Sequence, residues 1–154
     1  MSFIKEIYDV TKDLTNNKIA LNKIKRALLT ESKLNNKILE DISNKENRPD
    51  FKRMSAIVKN LETDEIKAAN NCGIPMELLT LKKVTPEMLE DLDYIRAEGF
   101  DLETVIEKLF IKIAYLKKDF DSENINLFIR LRNIYSYNLL LQRMLDIKLI
   151  KSNG

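Results

Sequence analysis

Histidine is absent from this chain of 154 residues, cysteine occurs once, and proline and glycine occur three times each. Without histidine there is no Ser-His-Asp triad, no histidine-based zinc site and no Glu-x-x-His di-iron motif. The lone Cys72 cannot form an intramolecular disulfide, and the opening Met1-Ser2-Phe3-Ile4-Lys5-Glu6 lacks the basic and apolar regions of a secretory signal, so a cytoplasmic location is expected. The longest purely aliphatic run is Leu139-Leu140-Leu141, far short of the roughly 18 apolar residues of a membrane span, so no membrane association is expected. No two glycines lie closer than 26 residues, which excludes a Gly-rich phosphate loop. Charge of one sign is also missing: the net charge is +2, too balanced to mark a polyanion binder.

What is present is a chain of one-domain length, 44% apolar and 32% charged, a composition that folds around one core. Its helix breakers are unevenly placed. Pro49, Pro75, Pro86, Gly73 and Gly99 all fall within 49–99, leaving 1–48 and 100–153 as breaker-free arms. The pattern predicts a single all-α domain over 1–154, an elongated helical bundle of about five to six helices, in which two arms flank a middle of helical hairpins.

In the first arm, Phe3, Ile7, Val10, Leu14, Leu21, Ile24, Leu28, Ile38 and Ile42 form a heptad-like stripe with polar gaps at Asn17, Glu31 and Asn35. One helix over 3–44 would be about 60 Å long, against a radius of gyration of about 15 Å for a compact domain of this length. Either the arm breaks, with Asn17 marking the place, or the bundle is elongated. Glu31 and Asn35 need polar partners if buried; they are expected either at the stripe's edge or paired with an arginine of the last helix. The second arm predicts a helix capped by Asp101 and ending near Phe120, then a helix over Glu123–Ile150 that is apolar nearly all round. Such a helix is central in the bundle or covered by another chain. In the middle, Pro49-Asp50 starts a helix, Asn71-Cys72-Gly73 ends another, and Thr85-Pro86-Glu87 opens a third that Gly99 closes.

Few residues offer chemistry. Cys72 sits at an expected helix C-terminus, where the dipole opposes thiolate formation. Glu87, Glu90, Asp91 and Asp93 crowd one short segment, as a solvated acidic helix start does. Asp119-x-Asp121-x-Glu123 has the first three places of a calcium loop but neither its glycine nor its final glutamate. No catalytic residue, metal site or cofactor is therefore expected.

Residues 65–84 resemble part of a helix-turn-helix, with Gly73 at the turn and Ala69, Ile74 and Leu79 at packing places. Lys82 stands where a core residue belongs, and Glu77 with leucines stands where arginine, asparagine or glutamine would read bases. A structural helical hairpin is the favoured reading of the segment. Lys18, Asn22, Lys25, Arg26, Lys33 and Lys37 lie along one side of the first arm, as a solvated face would. Finally, Glu31-x-x-x-Asn35-x-x-x-Leu39 resembles a helix of small bacterial helical-bundle proteins and of helical domains associated with phage-defence systems. The resemblance implies a defence-linked or signalling bundle that acts through protein contacts, and it brings no catalytic residues.

Together these features favour a non-enzymatic interaction module, an adaptor, immunity or antitoxin-like partner or accessory subunit. It would bind a protein partner or a second copy through Glu31, Asn35, Arg130, Arg132, Tyr137, Leu140, Arg143, Met144 and Ile147. The alternative is nucleic-acid binding through the degenerate helix-turn-helix and Lys18, Lys25, Arg26, Lys82 and Lys83.

Overall fold

The computed structural model describes residues 2–10, 14–93, 95–122 and 125–145. Over these it is all-helical: α1 (Phe3–Val10), α2 (Lys18–Ile38), α3 (Phe51–Asn60), α4 (Asp64–Asn71), α5 (Leu102–Asp119) and α6 (Leu127–Met144). Short 3-10 turns stand at Glu40–Ile42, Met76–Leu78 and Pro86–Leu89.

The first arm breaks where its polar gap falls. Asn17 ends the connection by accepting from the amide of Ala20 at 3.0 Å, which caps α2 and lets α1 fold back against it. The longest described helix is therefore α2, with 21 residues or about 31 Å. Two further starts are capped as their sequences predict: Asp50 accepts from Arg53 and Asp101 from Thr104, both at 2.8 Å. Gly73 follows the end of α4 with φ +67°, the left-handed conformation that terminates helices at glycine.

The core is one buried cluster fed by all six helices. α6 lies at its centre, packed against α2, α3, α5 and the 3-10 turns at Glu40–Ile42 and Pro86–Leu89. That position accounts for a helix apolar on most sides. It begins at Leu127, capped by Asn126, with Ile125 before it outside the helix; the expected start at Glu123 and continuation over 146–150 lie outside the described residues.

The middle departs most from expectation. α3 packs on α5 and α6, whereas α4 packs on α1, α2 and α5. Met76–Leu78 makes only one 3-10 turn, and the chain then runs without regular structure to Val84, which pairs with the backbone of Gly99 and Phe100. Pro86–Leu89 is likewise one turn and does not continue to Glu98, because Asp91 adopts φ +65° and turns the chain away.

Candidate functional site

The two polar gaps of α2 act inside the fold. Glu31 is 5% exposed, and its carboxylate accepts from the amides of Glu65 at 2.7 Å and Ile66 at 3.1 Å. These are orphan donors in the first turn of α4, whose own cap residue, Thr63, makes no side-chain capping bond. One turn along α2, the Asn35 amide donates to the carbonyl of Glu62 and accepts from its N–H, both at 2.8 Å. Glu65 then repeats the device. Its own carboxylate accepts from Phe3 at 2.6 Å and Ile4 at 3.0 Å, the first amides of α1, while Ser2 Oγ donates to it at 3.3 Å and accepts from Lys5. A carboxylate relay thus runs from α2 to α4 to α1. The expected partner for Glu31, an arginine of the last helix, is replaced by backbone amides.

Burial pushes the Glu31 carboxyl up to about 7, reinforced by the nearby charges of Glu65 and Asp64; the two amide donors oppose the rise. A proton acceptor at neutral pH can be catalytic in a cleft; Glu31 is instead buried against the start of α4, with both carboxylate oxygens bonded to backbone amides.

The arginines of α6 are spent on the middle segment. Arg132 forms a two-pronged ion pair with Asp93, at 2.8 and 2.6 Å, and donates to the carbonyls of Ile42 and Ser43. Asp93, also paired with Lys45 at 3.0 Å, is held below the usual carboxylate range chiefly by the Arg132 hydrogen bond. Arg143 donates to the carbonyls of Met88 and Glu90, fixing the chain on either side of the Pro86–Leu89 turn's end. Tyr137, Leu140 and Met144 are buried, so they form no outward partner face; Ile147 lies outside the described residues. The Tyr137 phenol is raised by burial.

A polar network that the sequence reading missed joins α2 to α6. Asn138, 1% exposed, donates to the Ser32 carbonyl and to Asn36, and accepts from Ser32 Oγ at 2.8 Å; Gln142 donates to the same Oγ at 2.9 Å. Its signal was available: Asn138 interrupts the inward stripe of Ile134 and Leu141 as Asn35 interrupts that of α2.

The nucleic-acid set is partly scattered. The helix-turn-helix lacks its second helix, since residues 79–84 are not helical, and the simpler helical hairpin over 65–84 fails for the same reason. Lys25 does not belong to the solvated side of α2, where Lys18 and Arg26 are exposed; its stem is buried and its ammonium lies near enough to Lys82 to be lowered by burial and by that charge. Lys83 stands beyond Lys82, exposed, near Asp101.

One face remains open. The seven residues from 120 to 126 join α5 to α6 and the helices pack together, so they run antiparallel. Lys112 fixes their register: its ammonium lies 5.2 Å from the Tyr137 ring and within repulsive range of Arg130 and Lys108. Tyr115, one turn past Ile111 towards the connection, therefore lies between the level of Tyr137 and the first turn of α6, where Ile129 stands. These three are 53, 54 and 61% exposed. Lys108, Lys112 and Arg130 surround them with no carboxylate in ion-pair distance among the described residues. Burial and its two cationic neighbours lower Lys112. Of the residues expected to bind a partner, Arg130 alone lies on this face.

Among the described residues no three His, Cys, Asp or Glu side chains converge as a metal site, and no helix is long and apolar enough to cross a membrane. Comparison with protein-family models, with curated proteins and with solved structures finds no match.

Proposed function

We propose that this chain is a non-enzymatic protein-interaction module of the cytoplasm, an adaptor or accessory partner that docks through the outer face of α5 and α6. The observation that carries this is the exposure of Ile111, Tyr115 and Ile129 together on two regular, well-packed helices. Large apolar side chains clustered on a rigid surface and ringed by charge are the anatomy of a binding patch. Glu31, Asn35, Arg132 and Arg143 support the reading indirectly. By satisfying helix ends and carbonyls internally they hold the frame that presents the patch.

A photo-reactive phenylalanine analogue placed at residue 115 tests this in the native host, with the same analogue at exposed Lys33 as reference. A discrete protein adduct from position 115 and none from position 33 is the expected result; twice the mass of the chain would identify the partner as a second copy. No adduct at position 115 above that at position 33 removes the interaction reading from this face.

A further inference from the structure

The occupant of the α5–α6 face can be specified by its chemistry. Lys108, Lys112 and Arg130 border the apolar triad of Ile111, Tyr115 and Ile129, and no carboxylate neutralises them at ion-pair distance among the described residues. Around α5, Lys108 and Lys112 precede and flank Tyr115 at helical spacing, while Arg130 follows Ile129 directly on α6. Glu107, one turn before Ile111, and Asp119, one turn beyond Tyr115, are the acids on the same side of α5, one at each end of the patch. Lys112 is further constrained by the Tyr137 ring beneath it, so its charge is held at the surface of the pair and is not free to swing into bulk solvent.

We propose that this face binds an acidic amphipathic helix of a partner protein, whose apolar stripe covers Ile111, Tyr115 and Ile129 while flanking carboxylates reach Lys108, Lys112 and Arg130. The inference rests on the interaction reading above and adds the partner's charge and form. Two packed helices present a shallow furrow into which a third helix lays its ridge, the geometry by which bundles grow. The apolar contact supplies adhesion, and the carboxylates relieve a cluster of like charges that the fold leaves uncompensated. A nucleic-acid strand would meet the same cations. The apolar triad argues against it, since Ile111 and Ile129 offer no stacking plane and Tyr115 offers one.

The test uses the full chain and three fluorescein-labelled probes: an 18-residue helical peptide with a leucine stripe and glutamate flanks, the same stripe with lysine flanks, and a 20-nucleotide single-stranded DNA. At low salt the acidic peptide is expected to bind at least tenfold more tightly than the basic one, and to lose about tenfold with Lys112→Glu combined with Arg130→Glu. Tyr115→Ala should weaken it severalfold without altering its preference over the basic peptide. Equal or tighter binding of the basic peptide, no binding of the acidic peptide at 100 µM, or DNA bound more tightly than the acidic peptide each overturns the proposal. If residue 115 still captures a protein in the host when the acidic peptide fails, the partner's chemistry falls and the interaction reading stands; if both fail, both fall.

Discussion

Polar residues on an apolar stripe and apolar residues on a polar face met opposite fates in this molecule. Glu31 and Asn35 interrupt the inward stripe of α2, and both are consumed by backbone groups of the α4 start. Ile111 and Tyr115 lie on the outward side of α5, opposite buried Leu109 and Ile113, and described chain covers neither fully. A polar gap in a stripe therefore marked an internal clamp, and an apolar pair outside the stripe marked an exposed surface. The clamps also sort by charge. Carboxylates of Glu31 and Glu65 hold helix N-termini, whereas guanidinium groups of Arg132 and Arg143 hold carbonyls at the ends of 3-10 turns, each matching the sign of the exposed backbone dipoles.

This contrast separates residues that hold the frame from residues of the proposed docking face. Glu31→Ala strands two buried amides and should cost about 4 kcal/mol in urea unfolding, while Lys33→Ala on the exposed side of α2 should change nothing measurable. The titration of Glu31 gives the next largest effect. Its carboxyl is raised from 4.5 to about 7 in the folded chain. Between those values the folded state holds the extra proton, so its stabilising effect is complete below pH 4.5 and is lost as the pH rises through 7, by up to roughly 3 kcal/mol. Unfolding at pH 5, 6 and 8 should show this fall in the native chain and a flatter profile in Glu31→Gln. Arg132→Ala should cost about 2 kcal/mol, because it leaves Asp93 with Lys45 alone and releases two carbonyls together, and Arg132→Lys should recover only part of that. Gly73→Ala should cost about 1 kcal/mol: a methyl there meets open space, so only the positive φ resists it.

Much of this frame was legible in the sequence. The break at Asn17, the caps Asp50 and Asp101 and the turn at Gly73 follow from local chemistry and apolar periodicity, which act over one or two helical turns. The middle was not legible for the same reason. Proline and glycine predicted helices over 76–83 and 86–98, but Arg132 and Arg143, 39 residues or more away in sequence from the groups they bind at Asp93, Met88 and Glu90, hold the second of these as a loop. The partner set failed on a related point. An over-apolar helix is ambiguous between burial and display, and only the packing of α2, α3 and α5 around α6 decides that Tyr137, Leu140 and Met144 are core. Ile111 and Tyr115 were visible as an i, i+4 apolar pair off the stripe, a signal weaker than the stripe itself.

The most direct test of the division between clamp and face is a paired measurement on Tyr115→Ala: urea unfolding, together with anisotropy binding of the glutamate-flanked peptide. Unfolding within about 0.5 kcal/mol of the native chain, with severalfold weaker binding, is the result this division requires. A large loss of stability with unchanged affinity would instead place Tyr115 among the residues that hold the fold, and would leave the α5–α6 face without a function.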